Sequence, residues 1–228
     1  MNRGQIQAVR MGVTERRERE KQNRREEILE TARELFYSRG YEKTRMVDIA
    51  ERLELSKGTV YLYFKSKEEL AYEVLLAALD LMGALLLQVE ESRGSERVLD
   101  RLRSIALGYV TFFQEHYREF HLVQVLEGAL YERLNDPDRA PEFYGRLNRI
   151  RNLVTEAIRR GLDDGSLRGD LQPELSAATY MITVDGFMRQ LVARSHFIRH
   201  TTGHSREALI EEIFRVLTYS LQGAGGGS

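Results

Sequence analysis

Between Leu55 and Leu70 the chain reads LSKGTVYLYFKSKEEL, with one glycine, two β-branched residues and three aromatics set among three lysines. Alanine, leucine and charged residues cost least on a helix surface. A helix of this composition therefore gives up intrinsic stability for something else. What these residue types do well is recognise an anionic, grooved partner. Lysine and tyrosine reach phosphates, a threonine hydroxyl hydrogen-bonds a base edge, threonine or leucine methyls touch a thymine methyl, and glycine admits close backbone approach. At about 100° per residue, Val60 and Phe64 point together toward a core, while Gly58, Thr59 and Leu62 point away with Tyr61 and Tyr63 on the flanks. Lys57 opens the segment and Lys67 follows it, beside the exposed N–H groups of the next helix. Thr44 and Arg45, at the start of the preceding helix, add a second candidate phosphate clamp. The competing explanation is a packed structural helix pair whose tyrosines are only core edges.

Other chemistry finds little support. The absence of cysteine excludes disulfides, thiolate metal sites and cysteine redox sensing. There is no GxSxG elbow, Gly-rich phosphate loop or HExxH pair. His196, His200 and His204 recur every fourth residue, but Thr201-Thr202-Gly203 is expected to break the helix between them, and no carboxylate follows at metal-ligand spacing. Neither a metal nor a cofactor is called for, and an enzyme is not expected.

The net charge of −1 conceals an asymmetry. Residues 1–70 hold 16 Lys+Arg against 13 Asp+Glu, and the rest hold 18 against 22. The first 25 residues hold 8 basic and 3 acidic side chains, and every lysine lies at or before Lys67. A basic front on an acidic body suits an anionic partner for the front alone, although a solvated charged arm has the same composition. The longest apolar run, Val74–Val89, carries Asp80 and is read as a buried helix short of a membrane span. The arginines near the N-terminus with no apolar run behind them do not form a secretory signal, so a soluble, cytoplasmic protein without a membrane partner is expected.

Helical periodicity positions these residues throughout. Ile28, Leu29, Ala32, Leu35 and Phe36 share a face, and Gly40 supplies a left-handed helix end. Thr44 is the expected N-cap of a short second helix, Ser56 of a third, and Ser66 with Glu69 makes a capping box for a long fourth. Beyond a break at ESRGSE, helices are expected near 96–115, 117–133, 141–162, 173–195 and 205–222, with Pro173 in a first turn and Ser205 as an N-cap. The fold class is all-α, with about nine helices. The division expected is a basic flexible arm at 1–23, a helix-turn-helix head at 24–68, a helical body at 69–222 and a flexible tail at 223–228.

Ile28 to Leu75 strongly resembles the DNA-binding region of the TetR family of bacterial transcriptional regulators. The resemblance is carried by Ala32, Leu35, Phe36, Gly40-Tyr41, Thr44, Ile49-Ala50, Ser56-Lys57-Gly58-Thr59, Tyr61, Tyr63-Phe64 and Lys67-Glu68-Glu69-Leu70. One departure is Glu54-Leu55, where the family's turn often has glycine before a small apolar residue. The resemblance implies a homodimeric repressor that binds a palindromic operator and is released by a small apolar or aromatic effector, through movement of the fourth helix. It also implies a ligand pocket in the body, for which Tyr109, Phe112, Phe113, His116, His121, Gln124, Val125, Tyr180, Met181 and Asp185 are candidates. Aromatic bulk with a few polar handles suits such a pocket, while plain core packing explains the same aromatics. Dimerisation is expected through the last two long helices, whose apolar residues cover a wide arc; Val184, Met188, Leu191, Ile210, Phe214 and Leu217 are the candidates. The alternative is a DNA-binding or adaptor helical dimer without a ligand switch.

Overall fold

The computed structural model describes residues 3–91 and 97–223, and among them it forms eleven helices and no strand. The ESRGSE break falls almost wholly outside the described residues, as does the tail beyond Gly223. Two compact units divide the chain.

The first unit opens with α1 (Arg3–Arg39). Of the residues expected as a flexible arm, 3–23 lie in the N-terminal part of that helix and 1–2 fall outside the described residues. Side chains along it pair at helical spacing, with Arg16 on Glu20 at 2.8 Å, Gln22 on Glu26 at 2.8 Å and Arg24 on Glu27 at 2.7 Å. Further along, Ile28, Ala32, Leu35 and Phe36 are buried. Gly40 ends the helix at φ 86°, and Tyr41 covers the end with its ring 5.4 Å from that of Phe36. Next come α2 (Met46–Arg52) and α3 (Lys57–Tyr63), which bury Met46, Ile49, Ala50 and Val60. α4 (Lys67–Glu91) contributes its residues up to Ala78. His121–Asp136 completes the unit, taking in most of α6 (Tyr117–Ala129) and all of α7 (Tyr131–Leu134). The compact head thus runs ten residues past the boundary expected at 68 and includes a later segment of the chain. Arg133 lies 3.6 Å from the centre of the Tyr72 ring, a cation–π contact that ties this segment to α4.

The second unit holds the rest of α4, α5 (Val98–Glu115), α8 (Pro141–Asp163), α9 (Pro173–Ala193), α10 (Ser195–Thr202) and α11 (Arg206–Leu221). Its core is built from Leu102, Ile105 and Phe112 of α5, Ile150, Val154 and Ile158 of α8, and Val184 and Met188 of α9. At Gly161 a Cβ would stand 2.5 Å from Cγ of Leu167 and 2.9 Å from Val98, so only glycine fits there. The helix count exceeds nine because Leu130 and Arg194 leave helical geometry, at φ −103°, ψ 15° and φ −134°, ψ 26°. Leu130 divides the helix expected near 117–133, and Arg194 ends the one expected near 173–195 ahead of an additional helix, Ser195–Thr202. Lys67–Val89 is long and apolar enough to cross a membrane, longer than the run read from the sequence, but more than half of it is buried inside the protein. Leu70, Val74, Leu75, Leu79 and Leu86 fill cores with it.

Candidate nucleic-acid interface

The turn between α2 and α3 fixes the angle of α3, and its chemistry is explicit. Leu55 N–H donates to Ala50 O at 2.9 Å and Glu54 N–H to Glu51 O at 3.2 Å, the paired bonds of a Schellman end. The residue that follows the C-cap Leu53 must then be left-handed, and it is Glu54, at φ 55°. This is the position where the family's turn favours glycine. A side chain is accepted there at a cost of about 1 kcal/mol. Ser56 then caps α3, its Oγ accepting from Thr59 N–H at 3.0 Å.

Val60 and Phe64 are buried beneath α3, with the Arg25 guanidinium 4.9 Å above the Phe64 ring. The opposite face is open. Leu62 is 84% exposed and Tyr61 40% exposed. Lys57 and Gly58 are exposed, and Thr59 and Tyr63 are half-buried. The Lys57 ammonium lies 5.6 Å from the Tyr61 ring, and the Thr59 hydroxyl is hydrogen-bonded to that of Ser56 at 2.8 Å. A Cβ on Gly58 would meet nothing closer than Ser56 Oγ at 3.7 Å. No packing within the chain therefore requires glycine, and its helix penalty of up to about 1 kcal/mol has no internal cause.

Three of the expected contacts are placed differently. Thr44 is fully buried, its hydroxyl donating to Gly40 O at 2.9 Å and Leu35 O at 3.3 Å. It closes the end of α1, so it neither caps α2 nor faces a partner. The cap is Arg45, whose N–H donates to the Asp48 carboxylate at 2.7 Å. The Arg45 guanidinium also pairs with Asp48, at 2.8 Å, and this pairing holds the Asp48 carboxyl below its ordinary range. Lys67 donates to Tyr41 O at 3.0 Å and Glu42 O at 3.4 Å, with its ammonium 4.1 Å from the Tyr41 ring. Two of its three N–H groups thus pin the α1–α2 loop, and partial burial raises the Tyr41 phenol above its ordinary value.

The ligand candidates are divided between the units. In the second, Phe120 is enclosed by the rings of Tyr109, Phe112 and Phe113 at 5.3–6.3 Å, an aromatic core in which these three are buried. His116 ends α5 and stacks 6.0 Å from Phe112. Tyr180 is buried, its hydroxyl donating to Leu102 O at 2.9 Å, and burial raises its phenol far above the ordinary value. Tyr109 and Asp185 are hydrogen-bonded, and Arg189 Nε donates to the other carboxylate oxygen at 2.6 Å. Met181 is half-buried on the same helix. In the first unit the His121 ring lies 5.9 Å from that of Tyr37, and Gln124 and Val125 follow on α6, half-buried.

The dimer candidates lie mostly inside the single chain. Val184, Met188, Leu191, Ile210 and Phe214 are buried within the single chain and Leu217 is half-buried. They are the inward face of α9 and α11. The apolar residues left outside are others: on α9 Leu175 and Ile182, the latter 72% exposed, and on α11 Val216 and Tyr219, the latter 81% exposed. The signal was present in the sequence, since Leu175 and Ile182 are seven residues apart, but an apolar helix with two faces does not say which one the chain itself covers.

A short helix, a tight turn, a second helix with an unburied recognition face and an all-helical second unit define a helix-turn-helix regulator. The family description "Bacterial regulatory proteins, tetR family" matches residues 28–74. The HTH-type transcriptional regulator TcmR of Streptomyces glaucescens is 32% identical over 194 residues, covering 82% of this chain and 78% of TcmR. The chain belongs to the tetR family. The HTH-type transcriptional repressor KstR2 of Mycobacterium tuberculosis is 28% identical over 153 residues, 67% of this chain and 74% of KstR2. The structure of that ketosteroid transcriptional regulator superposes at a TM-score of 0.60, covering 87% of this chain and 95% of the other at 22% identity. The regulator FadR of Bacillus subtilis, in complex with stearoyl-CoA, shares the fold at a TM-score of 0.62 and 18% identity, covering 89% of this chain and 98% of FadR.

Proposed function

We propose that the protein is a cytoplasmic, dimeric, ligand-responsive repressor that reads a palindromic operator through α3 of each protomer. The observation that carries this reading is the outward face of α3. Leu62 is the most exposed of the large apolar residues there, and Gly58 stands where alanine would fit. A thymine methyl is the natural partner for Leu62, and a base edge or phosphate for the backbone at Gly58. Lys57, Tyr61 and Tyr63 are the phosphate contacts, and the exposed, Asp48-paired Arg45 joins them when it exchanges carboxylate for phosphate. Lys67 holds the loop beneath them and has one N–H left to offer.

Dimerisation follows from the unpartnered apolar face. On α9 the exposed positions 175, 179, 182 and 186 recur at four and three residues, the spacing of a helix–helix seam, and Val216 and Tyr219 extend the apolar surface on α11. Two-fold pairing would place two α3 helices about 34–36 Å apart, one turn of the duplex.

The effector is a small apolar or aromatic molecule accommodated by the aromatic surroundings of the second unit, with the Tyr109–Asp185–Arg189 set as its polar handle. The similarity to a ketosteroid regulator and to a regulator in complex with stearoyl-CoA supports bulky apolar classes. α4 is common to both units, so displacement of its second half reaches Lys67 and the loop it pins. The test is operator affinity, on a duplex recovered by selection from random sequence, with and without a ketosteroid, a long-chain acyl-CoA and an aromatic drug. Weakening by one class at saturation supports the switch, and unchanged affinity with all three removes this effector assignment.

A further inference from the structure

The N-terminal half of α1 is more than a spacer. On one helix face, positions 17, 21, 24 and 28 stack in line. From Ile28 onward that face is apolar and buried in the head; before it, the same face carries Arg17, Lys21 and Arg24. Two neighbouring hollows show what it faces. One, of about 540 Å³, is lined by Arg17, Lys21, Arg24 and Tyr63. The other, of about 430 Å³, is lined by Lys21, Arg25, Leu62 and Tyr63. Lys21 and Tyr63 border both, so the basic stripe runs beside the C-terminal end of α3, next to its exposed Leu62.

The acidic residues bordering these hollows are Glu18, Glu20 and Glu27. Glu20 is paired with Arg16 and Glu27 with Arg24, whereas no ion pair with Arg17 or Lys21 occurs among the described residues. Arg17 and Lys21 thus stand beside the recognition face without an ion pair among the described residues.

We propose that Arg17 and Lys21, carried past α3 on the N-terminal half of α1, contact the phosphates of double-stranded DNA flanking the bases read by α3. This rests on the reading that α3 enters the groove. Continuity with the recognition face and the surplus of positive charge in the first 25 residues select DNA over an acidic protein as the occupant. These contacts carry no sequence information, so they add affinity to every site alike and set the footprint beyond the bases read.

The test compares the full-length protein with the double variant Arg17→Gln/Lys21→Gln and with Leu62→Ala. Binding to a mixed-sequence duplex and to a selected operator is titrated with salt, and circular dichroism checks that helix content is kept. Each phosphate contact contributes about 0.9 to the slope of log K against log salt. The double variant should therefore lose about 1.8 per bound chain on both duplexes, bind each roughly ten-fold or more weakly at physiological salt, and keep its preference for the operator. Leu62→Ala should keep the slope and lose preference. If Leu62→Ala weakens operator binding while the double variant matches wild type in slope and affinity, the proposal is overturned and the reading of α3 stands. If neither variant alters DNA binding, the reading of α3 fails and the proposal with it.

Discussion

Gly58 and Glu54 make opposite bargains with the backbone. Gly58 sits in the first turn of α3, where alanine would fit without contact closer than 3.7 Å. Gly58→Ala should therefore raise stability by about 0.5–1 kcal/mol in denaturant unfolding and weaken operator binding; a variant that is more stable and binds as well would deny the glycine its recognition role. Glu54 holds a left-handed turn position at φ 55°. Glu54→Gly should stabilise the head by about 1 kcal/mol and leave DNA binding unchanged, and a loss of stability would show that the Glu54 side chain contributes more than its strain costs. The outward set of α3 was legible in the sequence, because 100° steps separate Val60 and Phe64 from Gly58, Thr59 and Leu62. Thr44 and Lys67 were not. Both are polar residues at helix starts, and only the fold brings Gly40 O and Leu35 O to one, and the Tyr41 and Glu42 carbonyls to the other.

At the scale of elements, α2 depends on the Arg45–Asp48 cap. The Asp48 pKa is lowered, chiefly by hydrogen bonding to Arg45. A carboxyl depressed in the folded state contributes stability above its unfolded value, near 3.8, and that contribution is lost as pH falls through the lower folded value. Unfolding of the wild-type head should steepen below about pH 4, and Asp48→Asn should flatten that part of the profile, as followed by thermal melts across pH. An identical acid limb in both proteins would remove the cap from the account. Caps at Ser56 and Ser205 were readable because serine before an amphipathic run accepts from the third residue on, as it does from Thr59 and Ala208. The interruptions at Leu130 and Arg194 were not, since neither is a glycine or proline and tertiary packing alone bends the chain there. Charge density suggested an arm before residue 24, whereas residues 3–23 are helical, with Arg16 and Glu20 paired one turn apart.

For the whole molecule, the all-α class and the head-and-body order followed from periodicity, whereas the dimer face did not. Helices apolar on two sides pointed to α9 and α11, but not to which side the chain itself covers, and five of the residues chosen are covered by its own core. Ile182→Asp combined with Tyr219→Asp places charge on the exposed face and should yield a folded monomer by sedimentation, with operator affinity reduced by orders of magnitude; a dimer surviving both changes would move the interface elsewhere. The central claim is that two copies of α3 read DNA as a spaced pair. It is tested most directly by selecting duplexes from a random pool with the purified protein and sequencing what is retained. The account predicts a palindrome whose half-sites are centred about one helical turn apart, with base preference relaxed in Leu62→Ala. Retention of DNA without any enriched sequence, or of a motif indifferent to Leu62, would contradict it.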